Sequence, residues 1–597
     1  MNNTVLQATK MPAQNFVTNQ QRKNDYAADH QTMLNTLNPP PKTIKLSART
    51  LDAIALAHPE VNVPKYSRAS LSAGIVHFGV GNFHRAHQAV YLNELFNMGQ
   101  DLDWAIIGVG MTSSASANAK KKCMLEHDFL TTVVEQDGMA QSAHVTGCMI
   151  DYVPAGNPEL VLSKLTHPAI RIVSMTITEG GYFINAATGE FDPTHPAIVA
   201  DAKDPANPRT VFGLIVTALS RRRANGTQPF TILSGDNITK NGEMTRNACV
   251  GTARALGQSE LADWISENVA FPNGMVDRIT PVTSERERMA CLQHFGIEDG
   301  WPVFCETFKQ WVLEDNFPAG RPALEKVGVQ FVPDVTPYEI MKLRLLNGGH
   351  AAIAYPAALL GLKYAHNAMQ HKLISAFLRK LQTEEILPTV PPVPGIDLHD
   401  YCKQIQQRFG NPKNGDTIRR LCFDGTNRQP KFIVPTIEHC LKTEQSIDGL
   451  ALVCALWCRY CFGTDQKGQA VEPNDPAWPQ LQAIASHARD NDEPTVWLSM
   501  EHIYGSVGQS DAFRVVFAKT LRHLWQFGTE SALKRYLGNK AKIRRVRDRE
   551  TVEPQSEIGD RGRRPPYEAA KRPSEYLWRR KLLRGPKAAE RGREAAE

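Results

Sequence analysis

The stretch Thr336-Pro337-Tyr338-Glu339-Ile340-Met341-Lys342-Leu343-Arg344-Leu345-Leu346-Asn347-Gly348-Gly349-His350 gathers a carboxylate, an amine, an amide and an imidazole within a few turns of chain. Thr336 as N-cap and Pro337 in the first helical position predict a helix. With Lys342 at zero and about 100° per residue, Glu339 falls at about 60°, His350 at about 80° and Asn347 at about 140°, one face shared with Leu343 and Leu346. Oxidising a secondary alcohol requires a base for the hydroxyl proton while hydride leaves the carbon, and zinc, an activated tyrosine or a lysine can fill that role. A lysine's ordinary pKa of about 10.4 must then fall toward neutrality, which burial and nearby positive charge achieve. Asn347 would donate to the developing alkoxide, and His350 would orient a neighbouring hydroxyl. Each residue also has a plainer reading. Glu339 stands at capping-box spacing from Thr336, Lys342 could snorkel from a surface, and His350 could be a satisfied core histidine. Gly348-Gly349 would admit a ligand or a neighbouring backbone.

A second constellation, Gly79-Val80-Gly81-Asn82-Phe83-His84-Arg85-Ala86-His87, has the strand, tight turn and helix order of a dinucleotide site. His84 stands where the usual third glycine would be, so the pattern alone also fits a structural turn. The next strand ends Gly108-Val109-Gly110-Met111-Thr112-Ser113 without the acid that binds an adenosine ribose. Lys120, Lys121 and Lys122 would tolerate a 2′-phosphate or simply form a solvated face, and NAD versus NADP stays open.

These residues need elements to hold them. Apolar runs at 74–80, 104–109, 170–177 and 230–233 read as buried strands, with helical stretches at 88–98 and 210–223 between them, which predicts an α/β fold with a parallel sheet binding ligands at its strand C-termini. Beyond residue 334 amphipathic segments at 336–362, 371–386, 446–463 and 511–537 predict a mostly helical domain. The expected division is a polar extension over 1–45, a Rossmann-type NAD(P)-binding domain over 46–333, a helical substrate domain over 334–540 and a basic tail over 541–597.

The net charge of +6 over 597 residues resides in that tail, which holds 17 Lys/Arg and 10 Asp/Glu and leaves 51 basic against 52 acidic residues elsewhere. A neutral body carries no footprint for nucleic acid. Sparse cysteines and the lack of a signal-peptide core point to a reducing, cytoplasmic setting. The most apolar stretch, 447–462, is shorter than the roughly 20 residues of a membrane span and includes Asp448 and Arg459, so no membrane partner is expected. Cys454, Cys458 and Cys461 recur at the spacing of a core stripe, and no metal is expected. Tyr338 and Lys342 have the spacing of the short-chain dehydrogenase pair, but the glycines of this chain do not fit that family's turn.

Together with Thr178-Glu179-Gly180-Gly181-Tyr182, Ser234-Gly235-Asp236-Asn237 and the run Phe271 to Ile279, these motifs make the chain resemble the polyol-specific long-chain dehydrogenases, the mannitol dehydrogenase family, over residues 46–540. The resemblance implies an oxidoreductase interconverting a sugar alcohol such as mannitol with its ketose, without metal. By it Lys342 is the acid/base, Asn237 and Asn347 bind the reacting oxygen and His350 binds substrate. Asp277 and Arg420 would contact polyol hydroxyls, a structural salt bridge being the alternative for each. Glu179 and Glu339 would line a proton path, and Gly79, Gly81, Asn82, Phe83, His84 and Arg85 would hold NAD or NADP, with NAD favoured. Gly235 stands where relatives commonly have Cys, and Ile238-Thr239-Lys240 replaces a common Leu-Pro-His. These departures leave arabinitol, sorbitol or a sugar acid such as fructuronate as alternative substrates. The intact Lys342, Asn347 and His350 argue against a non-catalytic dinucleotide-binding scaffold.

Overall fold

Short apolar runs closed by glycine or polar clusters suit strands covered on both faces. In the computed structural model, which describes residues 42–138, 140–185 and 189–538, β1 (Ala73–Phe78), β2 (Ala105–Val109), β3 (Met149–Val153), β4 (Ile172–Met175) and β5 (Thr231–Ser234) form one sheet in the order β3-β2-β1-β4-β5. Every neighbouring pair is parallel. The chain steps outward from β1 through β2 and β3, then returns to β4 on the other flank. The loops beyond β1 and β4 therefore part, and a crevice opens at the strand ends. This Rossmann-type half carries α1 (Asn82–Ala86), α2 (Gln88–Asn97), α3 (Ala115–Glu126) and α4 (Val211–Ala224), the last capped by the Thr210 hydroxyl accepting from Gly213 N. The edge strand β3 escapes the apolar pattern because Asp151 and Tyr152 sit half-buried in it.

Further strands extend this half beyond the sequence expectation. β6 (Gly274–Asp277) pairs antiparallel with β8 (Gln310–Glu314), which pairs parallel with β9 (Gln330–Val332). β7 (Val303–Glu306) joins the strands Thr131–Gln136, Gln141–Thr146 and Val61–Asn62 in another sheet. The folded body also begins before residue 46. Ile44–Lys45 pairs with Ile297–Glu298, and Ile44 and Leu46 are buried. Residues 1–41 of the expected N-terminal extension, and the basic tail, lie outside the described residues.

The second half is helical. α5 (Thr336–Met341) runs into a π-helical segment, Lys342–Asn347, and on into α6 (Gly348–Leu359). α7 (Lys372–Leu381) likewise passes into a π segment, Gln382–Ile386. α8 (Leu398–Gly410), α9 (Asp448–Cys461) and α10 (Asp511–Gly538, broken at Gly528) complete the elements used below. The apolar stretch over 447–462 is the buried α9. Cys454, Cys458 and Cys461 pack in its core with their thiols pushed up by burial. Among the described residues no helix is long and apolar enough to cross a membrane.

Candidate active site

Lys342 opens the π segment, where one turn is wider than an α turn, so the uniform 100° wheel does not describe its face. The widened turn frees the Leu345 carbonyl for Gln382 Nε2, which donates to it at 3.1 Å from the other π segment. Gln382 is fully buried and held in turn by Gln406 Nε2 at 3.0 Å. A chain of two amides thus braces the segment that carries Lys342. Gly348 and Gly349 serve helix packing, since a Cβ on Gly348 would lie 3.3 Å from the Phe432 carbonyl and one on Gly349 3.2 Å from Gln382 Nε2.

Lys342 is only 7 % exposed, which rules out the snorkelling surface lysine. Its Nζ donates to Asn237 Oδ1, across the interface between the helical half and the loop after β5. Burial draws its pKa down. Asp277 opposes this, Arg408 assists it, and Glu339 and Glu179 oppose it. Glu339 does not close a capping box. The N-cap is Val335, the Thr336 amide donates to Asp334 Oδ1 at 2.9 Å, and Glu339 Oε1 accepts from Lys240 N at 2.9 Å. Asp334 reached the helix start first and left Glu339 to turn toward the β5 loop. Burial raises the Glu339 carboxyl above its ordinary range.

Asp236, beside Asn237, fixes the neighbouring loop. Its carboxylate accepts from Ile177 N and Thr178 N, each at 2.9 Å, and from Tyr182 Oη at 2.8 Å. Those bonds hold Thr178 at φ 64° and ψ 167°, backbone almost reserved for glycine. The strained residue sets the direction of the chain at Glu179. Asp236, Tyr182 and Thr178 stand in the motifs that carry the resemblance, but no role was expected of them.

Asp277 lies at the end of β6. Burial alone would raise its carboxyl, but Arg408 clasps it with bonds of 2.7 and 2.9 Å and holds it below the usual range. The same guanidinium meets Glu306 at 2.7 and 2.9 Å. Neither Arg408 nor Glu306 was anticipated. His350 stacks on Phe409 with ring centroids 4.0 Å apart, and its buried Nε2 has no hydrogen-bond partner among the described residues. Burial first, then the charges of Arg420 and Arg408, keep the ring neutral. The Tyr401 hydroxyl is likewise buried without a hydrogen-bond partner among the described residues. Asn347 is buried on the same π segment, whereas Arg420 is exposed and paired with Asp416 at 2.5 and 2.6 Å.

The glycine turn sits at the end of β1. Gly79 has φ +90°, and a Cβ there would lie 2.2 Å from the Thr176 carbonyl, so only glycine fits. A Cβ on Gly81 would meet only the Gly79 carbonyl, at 3.8 Å, which leaves open space above the turn. The helix beyond is broken at His87 into α1 and α2 rather than continuous. The amides of Asn82, Phe83 and His84 have no partner within so short a helix and can face an anion. The side chains expected to help are committed elsewhere. His84 stacks on His77 at 3.5 Å, Arg85 lies 3.5 Å over the Trp301 ring, Phe83 stacks on His87 at 4.8 Å, and Asn82 Nδ2 donates to Pro281 O and Thr283 Oγ1, each at 2.9 Å. Beneath them a small cavity is lined by Phe83, Met175, Thr176, Gly235 and Val276.

A phosphate-type turn at a Rossmann switch point, opposed by a buried lysine from a helical half, defines a two-part dehydrogenase framework. The description "Mannitol dehydrogenase Rossmann domain" matches residues 73–326, and "Mannitol dehydrogenase C-terminal domain" matches residues 334–525. The mannitol 2-dehydrogenase of Cereibacter sphaeroides is 53% identical over 479 residues, 80% of this chain and 99% of that one. That of Pyrenophora tritici-repentis is 40% identical over 502 residues, 83% of this chain and 87% of its own. Among solved structures, Pseudomonas fluorescens mannitol 2-dehydrogenase in ternary complex with NAD and D-mannitol superposes with TM-score 0.76 at 41% identity, covering 83% of this chain and 99% of that one. A D-sorbitol dehydrogenase in substrate-free form gives 0.74 at 36% identity, covering 82% of this chain and 100% of the other. The chain belongs to the mannitol dehydrogenase family, and is an oxidoreductase acting on CH–OH groups.

Proposed function

We propose that the protein interconverts D-mannitol and fructose with a nicotinamide dinucleotide, NAD before NADP, and that Lys342 is the acid/base. The observation that carries the reading is the buried Lys342 ammonium donating to Asn237 at the strand ends. The Gly79 turn and the open face above Gly81 suit a pyrophosphate, and nothing acidic follows β2 before α3 to exclude a 2′-phosphate. A bound nicotinamide supplies the hydride acceptor. Neutral Lys342 takes the hydroxyl proton as the C–H hydride departs, leaving a ketone and an ammonium. In the reverse direction the ammonium returns that proton to the oxygen. With its oxygen engaged by the lysine, Asn237 has N–H bonds to offer the reacting oxygen, as does Asn347. His350 Nε2 and Asp277 would take up the remaining hydroxyls, and Arg420 would do so after exchanging Asp416 for substrate. Glu179 and Glu339 carry the released proton outward.

The test is steady-state kinetics with a panel of polyols and ketoses, using NAD and NADP, on the natural chain and on Lys342→Ala. Mannitol with NAD should give the highest kcat/KM, polyol oxidation should rise with pH as Lys342 deprotonates, and Lys342→Ala should lose about 10²–10⁴-fold in kcat. Undiminished turnover by Lys342→Ala refutes the acid/base assignment, and a sorbitol or arabinitol preference refutes the substrate.

A further inference from the structure

The titratable and charged groups that act on Lys342 come from several elements: Glu339 from α5, Asp277 from β6, Glu179 from the loop after β4 and Arg408 from α8, with the neutral His350 on α6. Asp277 is the strongest attraction on the ammonium, and an unopposed carboxylate there would keep the lysine protonated. The protein opposes it with a buried guanidinium. Arg408 spends bonds from Nε, Nη1 and Nη2 on Asp277 and Glu306, and Phe308 lies 4.1 Å beneath its plane. Glu306 is tied to its own half as well, since the Oε1 that accepts from Arg408 Nη2 also accepts from Ile279 N at 2.6 Å. The fork is thus held between β6 and β7 of one half by a helix of the other.

We propose that Arg408 is a positioning residue that sets the proton affinity of Lys342 through Asp277: its two-bond clasp neutralises and orients that carboxylate, while Glu306 limits how much positive charge it presents. The assignment rests on Lys342 being the acid/base. Arg408 itself need not touch substrate. A clasp serving only to join the two halves would have no bearing on the pH at which the lysine works.

The experiment measures the pH profile of kcat/KM for mannitol oxidation with NAD. In Arg408→Met the acidic limb should move to higher pH by about one to three units, the displacement a neighbouring charge produces, with rates at the alkaline end returning to within a few-fold of the natural enzyme. Arg408→Lys, which keeps the charge and loses the fork, should move the limb less. Glu306→Gln should move it to lower pH, because Arg408 then serves Asp277 alone, and this variant decides the matter if Arg408→Met does not fold. Limbs that coincide with the natural one in Arg408→Lys and Glu306→Gln, or a loss uniform across pH, overturn the proposal. Lys342→Ala in the same assay separates the two readings. If it stays active the acid/base assignment fails, and if it is dead while the limbs stay still only the role of Arg408 fails.

Discussion

Both halves of the site bury polar side chains, but they bury different kinds. Under the glycine turn stand His77, His84 and His87, rings that burial strips of charge and that bond to Ser174, Thr176 and the Gln310 carbonyl or stack on one another. Around Lys342 stand ions: Asp277, Glu306 and Arg408, interlocked and buried. On the proposed reading the turn presents backbone N–H groups to an anion, and neutral rings brace it without competing for that anion. On the same reading the lysine has to change its own charge, and burial together with neighbouring charges tunes that change. His84 and Arg85, expected to hold the cofactor, face inward onto His77 and Trp301.

Variants can break this division, and the largest effect is expected at the turn. Gly79→Ala forces a Cβ against the Thr176 carbonyl at positive φ. A strain of about 3 kcal/mol falling on the turn corresponds to roughly a hundredfold weaker coenzyme binding. Titration of NADH fluorescence reads this. Gly81→Ala, which meets almost nothing, should weaken NADH binding while leaving the melting temperature unchanged.

Next comes the neutral brace. His77 and His87 are pushed down to about 3 in the folded protein, against an ordinary 6.5, so between those values the unfolded chain binds protons that the native one refuses. Each ring therefore stabilises the fold fully above about pH 6.5, and stability is lost as pH falls toward 3, by roughly 1 kcal/mol per pH unit per ring. Urea midpoints between pH 7 and 5 should show that slope, and His87→Gln should flatten it. An unchanged slope would mean that the brace titrates normally.

The smallest effect tests the support beneath the ions. Gln382→Met leaves the Leu345 carbonyl without its donor and should cost about 1–3 kcal/mol in chemical denaturation, with a modest fall in kcat as Lys342 loses its fixed aim. If kcat stays whole while stability drops, the π segment holds its shape without this amide.

The legible parts of the molecule share a cause. β1, β2, β4 and β5 are covered on both faces, so burial writes itself as continuous apolar runs, and α9 is apolar all round for the same reason. Lys342, Asn347 and His350 were visible because one stretch of chain carries all three. What stayed hidden was settled by distant partners. Arg408 lies 131 positions from Asp277 and 102 from Glu306, in a run of Gln and Arg whose pattern is that of any surface helix. Glu339 looked like part of a capping box because Thr336 fits the N-cap, yet the N-cap is Val335 and the Thr336 amide donates to Asp334, two residues earlier. No local propensity distinguishes the π turn from an α turn, and the buried glutamine that bonds its freed carbonyl comes from another helix.

That π turn stores one residue of extra length in the helix between α5 and α6. Removing one residue between Lys342 and Asn347 would restore an ordinary helical repeat and leave α6 facing as it does now, so the change would fall within the segment itself. The same deletion made inside α6, where the repeat is already ordinary, would swing everything downstream about 100° around the axis and take the small apolar residues from Ala351 to Ala354 out of the core they now fill. A change of a single residue in length is therefore absorbed within those few residues and not beyond them.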